Sequence, residues 1–325
     1  MRIHIQTGQN MTQEITPDVW QAGLARAEMT DAGLAVSFGA AREEFAAAIG
    51  ETEILIAGGG TVGKLLPFNA PRLKMLFSTS AGVDQLMPFD WMTPGAVVLN
   101  NSGVHSIKTG EYVAMALVML NAGLPDFIAS QHAHKWERHM TPSLRGRRVT
   151  VVGTGALGGA AAEQARHFGA IVTGVSRTGA VHPHCDHMLT TDALDGVLPT
   201  TDCLILAAPL TSQTNQLLNA RRIALLPKGA GVVNVGRGEL VEQDALCDRL
   251  DDGHLSGAVL DVFVPEPLPP GHRVWTTRNL VVTPHVSAGD PLTYYPDTLD
   301  IFFKNLKLWQ AGKPLPNLVD TTHGY

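Results

Sequence analysis

Three side chains in the 325-residue chain have the types that reduction of a carbonyl needs: Arg237, Glu266 and His285. Hydride transfer to a carbonyl leaves negative charge developing on oxygen, and a positioned imidazolium such as His285 can supply the proton. A carboxylate beside it, Glu266, favours the charged ring and fixes its orientation. Arg237 can fork onto a carboxylate and polarise the adjacent keto oxygen. Taken singly, each residue also reads as an ordinary loop or buried side chain. Each follows an apolar run, however, at 231–235, 258–263 and 280–283. If these runs are parallel strands, their carboxyl ends converge on one crevice.

A second constellation says what that crevice holds. Residues 149–152 form a β-branched run, followed without a gap by Gly153, Thr154, Gly155, Ala156, Leu157 and Gly158. An alanine-rich helix ending at Gly169 comes next, and then a second apolar run at 170–175. This is the strand, G-x-G-x-x-G, helix, strand context of a dinucleotide site. Gly153 permits the tight turn, Gly155 lets backbone approach a pyrophosphate, and Gly158 lets helix and strand pack closely. The helix N-terminus then points unpaired N–H groups at the phosphates. At the end of the second strand, where an acid would bind the ribose of NAD, the chain has Ser176, Arg177 and Thr178. Hydroxyls and a guanidinium suit a 2′-phosphate, so NADP(H) is expected as the preferred cofactor, with NAD(H) possible.

The elements that must position these groups alternate along the whole chain. Strands are expected at 2–7, 34–38, 53–57, 73–78 and 96–100, with helices between them. Thr16 and Pro17 read as the cap and first turn of one of those helices. A long apolar helix is expected at 109–136, as a connector. The fingerprint half adds strands at 203–207, 231–235, 258–263 and 280–283 and helices at 219–226 and 243–252. A last amphipathic helix at 297–310 is expected to return to the first lobe. The fold class is α/β, with two doubly wound parallel-sheet domains. The first, discontinuous, holds residues 1–102 and 290–325, and the dinucleotide-binding domain holds residues 103–289.

Composition narrows the setting. Hydrophobic residues make up 45% of the chain, enough for substantial cores, and the net charge of −6 carries no basic footprint for nucleic acid. No run approaches the roughly eighteen apolar residues of a membrane span. The amino-terminal stretch lacks a signal-peptide core. Three cysteines, Cys185, Cys203 and Cys247, have no C-x-x-C spacing. A reduced, cytoplasmic protein with no membrane or nucleic-acid partner is expected.

Several stretches in order carry a resemblance: SAGVD at 80–84, TGEYVAMALVML at 109–120, LRGRRVTVVGTGALG at 144–158, AAPLTSQTNQLLN at 207–219, GVVNVGRGELVEQDAL at 231–246, GAVLDVFVPEPLP at 257–269, TPHVSA at 283–288 and GKPLPNLVD at 312–320. The sequence resembles the D-isomer-specific 2-hydroxyacid dehydrogenase family over nearly its whole length. The resemblance implies a Rossmann NAD(P)-binding domain and a flavodoxin-like substrate domain. It carries the catalytic set onto Arg237, Glu266 and His285. Cofactor contacts carry onto Gly153, Gly155, Ala156, Leu157, Gly158, Ser176, Arg177 and Thr178, and onto Ala208, Pro209, Thr211, Val235 and Gly236. Arg237 and His285 also face the cofactor, and Asp261 accepts from the nicotinamide amide. Substrate contacts carry onto the backbone of Ala81 and Gly82, with Arg237 and His285. The Ser176–Thr178 departure resembles the NADP-using glyoxylate/hydroxypyruvate reductase branch, and Glu266 argues against the formate dehydrogenase branch, where a glutamine stands. The implied activity is NADPH-dependent reduction of a small 2-keto acid, glyoxylate or hydroxypyruvate, by a homodimer. The alternatives are an NAD-linked enzyme for another 2-hydroxy acid and a nucleotide-sensing co-repressor-like module.

Two clusters are discounted. His182, His184, Cys185 and His187 lack a partner segment with zinc-like spacing, so no metal is expected. Phe302, Phe303, Leu306 and Trp309 fall at helical spacing and read as core or interface.

Overall fold

The computed structural model describes residues 1–8 and 15–322; residues 9–14 and 323–325, assigned above to the first domain, lie outside the described part. The chain divides into two compact units, residues 1–104 with 290–325, and residues 105–289. The first unit opens with β1 (Arg2–Gln6), α1 (Pro17–Arg26), β2 (Ala35–Gly39), α2 (Arg42–Ile49), β3 (Ile54–Ala57), α3 (Gly59–Leu65), β4 (Met75–Ser78) and β5 (Val97–Leu99). The second contains α4 (Ser106–Asn121), α5 (Leu124–His132), β6 (Arg148–Val152), α6 (Ala156–His167), β7 (Ile171–Ser176), β8 (His187–Thr190) and α7 (Leu194–Val197). It continues through β9 (Cys203–Leu206), α8 (Ala220–Ile223), β10 (Gly231–Asn234), α9 (Gln243–Asp251), β11 (Gly257–Leu260) and β12 (Leu280–Val282). Helix α10 (Tyr294–Gln310) then completes the first unit.

Both sheets are parallel. The first runs β2-β1-β3-β4-β5, the flavodoxin-like order. The second runs β12-β11-β10-β9-β6-β7-β8, with the order reversing at β6, as in doubly wound dinucleotide-binding sheets. Helices cover both faces of such sheets, so the central strands are mostly apolar runs. Thus β3, β4, β9, β10 and β11 are buried at every position. In the first unit Thr16 caps α1 by accepting from the Val19 N–H at 3.3 Å. Trp20 of α1 then packs on Phe303 and Phe302 of α10, at ring separations of 4.9 and 5.9 Å. Phe302, Phe303 and Leu306 are fully buried and Trp309 is half-buried against the same cluster, so that stripe is core.

One expectation is corrected. The single helix at 109–136 is two helices, α4 and α5, bent by 64°. Gly123 at φ +68° takes the left-handed conformation that ends α4, and Pro125 sits in the first turn of α5. One strand is added to those expected, because His187–Thr190 pairs with β7 as an edge strand. No single helix among the described residues is long and apolar enough to cross a membrane.

Candidate functional site

The glycine turn after β6 is built as its spacing requires. Gly153 has φ +86°, and a β-carbon there would stand 2.6 Å from the Ala208 backbone. A β-carbon at Gly158 would stand 1.7 Å from the Gly153 carbonyl oxygen, so helix and strand close only over glycine. Gly155 caps α6, and a β-carbon there would meet nothing within 4 Å. The first-turn N–H groups of α6, at Ala156 and Leu157, therefore lie at an open helix end, which fits a dinucleotide pyrophosphate.

At the carboxyl end of β7, Ser176 Oγ accepts from the Gly179 N–H at 3.1 Å and Thr178 Oγ1 from the Ala180 N–H at 3.3 Å. Arg177 between them is exposed and has no hydrogen bond or ion pair among the described residues. No carboxylate stands in that turn. After β9, Thr211 and Thr214 knot the loop: the Thr211 N–H donates to Thr214 Oγ1 at 2.8 Å, and Thr214 donates to the Pro209 carbonyl at 2.7 Å. Val235 and Gly236 are buried, and a β-carbon at Gly236 would stand 2.9 Å from the Ala208 carbonyl.

The catalytic candidates follow β10, β11 and β12. Asn234 closes β10 by donating to the Arg237 carbonyl at 2.8 Å and accepting from the Gly236 N–H at 3.0 Å. This shapes the turn that carries the half-buried Arg237. Glu266 Oε1 accepts from the Phe263 N–H, and Oε2 accepts from His285 Nδ1, each at 2.8 Å. A carboxylate only accepts, so His285 Nδ1 carries a proton and Nε2 is the atom left for substrate. His285 sits at φ +56°, a left-handed conformation uncommon outside glycine. Asp261 is fully buried and accepts from the Thr283 hydroxyl at 2.5 Å and from the Val286 and Ser287 N–H groups at 2.9 and 2.8 Å. Its carboxylate thus holds the segment carrying His285, leaving about one acceptor position for a further donor. His105 Nδ1 lies 2.7 Å from the Ala288 carbonyl. Burial holds the His105 imidazole below its ordinary pKa, and the charges of His285 and Arg237 add to that. The structure therefore gathers Arg237, Glu266 and His285 at one sheet edge. Asn234, Thr283, Tyr112 and His105 join them, and sequence reasoning assigned none of these four.

In the first unit, Ala81 and Gly82 follow β4 in a bend. Ser78 Oγ and the Ser80 N–H are 3.2 Å apart, and the Gly59 N–H donates to Ser80 Oγ at 3.2 Å. A cleft of about 650 Å³ opens beyond the carboxyl ends of β1, β3 and β4. Arg42, Lys64, Thr61, Ser80 and Tyr294 are among its walls. Its position is the one where open α/β sheets bind ligands, and its cations suit an anion. Burial raises the Tyr294 hydroxyl pKa, which leaves it a donor to the Thr79 carbonyl at 2.5 Å. Of the discounted histidines, His182 Nδ1 accepts from the His184 N–H at 3.3 Å. Among the described residues no group of three or more His, Cys, Asp or Glu is placed to hold a metal ion.

Comparisons with known proteins agree with this geometry. Residues 114–287 match the family model described as D-isomer specific 2-hydroxyacid dehydrogenase, NAD binding domain. Glyoxylate/hydroxypyruvate reductase A of Salmonella typhi is 29% identical over 262 residues, 78% of this chain and 82% of the relative. A D-isomer specific 2-hydroxyacid dehydrogenase from Xanthobacter autotrophicus Py2, solved with NADPH and MES, is 29% identical with a TM-score of 0.80, covering 99% of each chain. An NADPH-dependent glyoxylate/hydroxypyruvate reductase from Sinorhizobium meliloti, solved with NADP and sulfate, is 26% identical with a TM-score of 0.81, covering 100% of this chain and 99% of that one.

Proposed function

The chain belongs to the D-isomer-specific 2-hydroxyacid dehydrogenase family, oxidoreductases acting on CH–OH donors, and on that premise we propose that it reduces a small 2-keto acid, glyoxylate or hydroxypyruvate, to the D-2-hydroxy acid with NADPH. The observation that carries this reading is the 2.8 Å pair of His285 Nδ1 and Glu266 Oε2 on the sheet edge that also bears the open glycine turn. NADPH, when bound, supplies the hydride. His285 gives its Nε2 proton to the keto oxygen as charge develops there, and Glu266 holds the ring by Nδ1. Arg237 binds the substrate carboxylate and polarises the keto oxygen, and Ala81 and Gly82 are the substrate contacts that the family resemblance carries onto the first unit. A hydride on carbon and a proton on oxygen convert C=O to CH–OH, so the residue balance closes with His285 neutral.

Gly153, Gly155, Ala156, Leu157 and Gly158 hold the pyrophosphate, and Ala208, Pro209, Thr211, Val235 and Gly236 line the rest of the cofactor's path. Asp261 takes the nicotinamide amide through its remaining acceptor position. Ser176, Arg177 and Thr178 bind the 2′-phosphate. Arg177, exposed and without a protein partner among the described residues, supports this, as do the NADPH and NADP bound in the relatives from Xanthobacter and Sinorhizobium. A homodimer fits the exposed apolar side chains of α4, α5 and the segment after them: Met115, Val118, Leu124, Ile128, Met140 and Trp136, the last 99% exposed. Residues 1–102 with 290–325 form the substrate domain in this reading, and 103–289 the cofactor domain. Three free cysteines suit a reducing cytoplasm.

The test is turnover followed by nicotinamide absorbance, with glyoxylate and hydroxypyruvate, each with NADPH and NADH. Turnover that prefers NADPH is expected. Preference for NADH overturns the phosphate site, and nucleotide binding without turnover of either keto acid overturns the substrate.

A further inference from the structure

Helix α4 and its N-cap reach both ends of the segment carrying His285. His105, the N-cap of α4, lies with Nδ1 2.7 Å from the Ala288 carbonyl, which can only accept, so Nδ1 holds the proton. Seven residues and two helical turns later, on the same face, the Tyr112 hydroxyl lies 2.6 Å from Thr283 Oγ1. Thr283 gives its own proton to Asp261 at 2.5 Å, so Tyr112 must be the donor to Thr283. The chain Tyr112, Thr283, Asp261 runs one way and ends on a buried carboxylate, an arrangement in which each bond polarises the next. Burial pushes the Tyr112 hydroxyl up to about 12, so it remains a donor at any working pH.

Between the two anchors stands His285 at φ +56°. Such a conformation is strained for a non-glycine residue and persists only where the surroundings over-determine it. Asp261 grips the Val286 and Ser287 N–H groups from one side. The α4 contacts at Thr283 and Ala288 close the other two corners.

We infer that α4 is a splint for the proton donor, with His105 and Tyr112 acting as positioning residues that keep His285 Nε2 aimed while Nδ1 stays on Glu266. The inference rests on His285 being that donor. The titratable and charged groups around His285 are Glu266, Arg237, His105 and, through the segment's N–H groups, Asp261, with Tyr112 acting through Thr283.

The experiment compares Tyr112→Phe, His105→Ala and His105→Asn with the wild type and with His285→Ala, reading kcat, both KM values, thermal midpoint and the pH profile. Tyr112→Phe removes one hydroxyl at nearly constant volume. Asparagine returns an N–H near the Nδ1 position. Tyr112→Phe and His105→Ala are each expected to lower kcat about tenfold, less than the roughly hundredfold cost of a ~1 Å misplacement. KM for NADPH stays unchanged. The alkaline limb of the profile shifts, because the proton donor is no longer held in place against Glu266. His105→Asn restores both. Wild-type kcat and alkaline limb in folded Tyr112→Phe and His105→Ala would overturn the inference. So would a lower thermal midpoint with neither a limb shift nor rescue by asparagine. Equal rates in wild type and His285→Ala defeat the proton-donor reading itself, a different failure.

Discussion

Glu266 and His285 are joined from Oε2 to Nδ1 at 2.8 Å, while the other Glu266 oxygen takes the Phe263 N–H at the same distance. The carboxylate therefore cannot swing, and the ring it holds has only Nε2 to offer. Glu266→Gln keeps the shape but replaces one acceptor with a donor, so either the Phe263 contact or the His285 contact is lost. The variant should lose kcat, because the proton donor loses the carboxylate that fixes its ring. His285→Ala should lower kcat by about 10²–10⁴, the usual contribution of a general acid, with NADPH binding intact. Values of kcat, with NADPH binding followed by fluorescence, check both. An unchanged kcat in Glu266→Gln would remove its role.

The glycines of the turn after β6 separate folding from binding. A β-carbon at Gly158 meets the Gly153 carbonyl at 1.7 Å, whereas one at Gly155 meets nothing within 4 Å. Gly158→Ala must push helix from strand, at a cost of about 1–3 kcal/mol or more for overpacking, and should lower the thermal midpoint. Gly155→Ala should leave the midpoint alone and weaken NADPH binding, because the new methyl occupies the space of the pyrophosphate. A similar penalty of about 1–3 kcal/mol there is about 5- to 150-fold in Kd. Thermal melts and NADPH titrations of the two variants should give opposite patterns. Equal Kd values for Gly155→Ala and wild type would move the pyrophosphate elsewhere.

That contrast also marks what sequence reading can reach. Gly153, Gly155 and Gly158 announce themselves because their spacing and their local strand–turn–helix setting are one short piece of chain. The same is true of the strands that are apolar throughout. The bend at Gly123 was legible in principle, from Gly123 followed by Pro125, yet the apolar continuity of the flanking residues masks it. Strand β8 is short, with Met188 and Leu189 half-buried and His187 and Thr190 exposed, so it shows no alternation. It exists because β7 offers it an edge. His105 and Tyr112 are harder still. Their partners Ala288 and Thr283 lie 183 and 171 residues away, and only the folded sheet brings them together.

Arg177 provides a test of cofactor choice. It is exposed at the end of β7, between two hydroxyl residues that accept from the turn's own N–H groups and keep their O–H groups to donate. The guanidinium is the charged partner for a 2′-phosphate. A hydrogen bond to a charged group is worth about 1.5–3 kcal/mol, so Arg177→Ala should weaken NADPH binding by about 10- to 100-fold. NADH, lacking the phosphate, should be unaffected. Side-by-side KM values for the two cofactors decide it, and equal losses for both would mean that Arg177 does not read the phosphate.

His4 links the first unit's core to pH. It is 1% exposed in β1, with Nε2 2.9 Å from Gln6 Oε1 and Nδ1 2.9 Å from Ser37 Oγ. Gln6 points its amide nitrogen at the Thr7 carbonyl at 3.3 Å, which leaves its oxygen to accept, so His4 carries a proton on Nε2. Burial lowers its pKa below the ordinary 6.5, against smaller raising effects from Gln6 and Glu44. His105 is lowered as well. The unfolded chain therefore binds more protons than the fold once pH drops below the ordinary value. Stability is full above that value and falls as pH descends toward the folded-state pKa values, by at most about 1.4 kcal/mol per pH unit for each such histidine. The thermal midpoint should decline from about pH 7 to about pH 5. In His4→Gln, whose amide can serve the same two partners without titrating, the midpoint at neutral pH should drop modestly and its acid slope should flatten. A slope equal to that of the wild type would show that the acid sensitivity arises elsewhere.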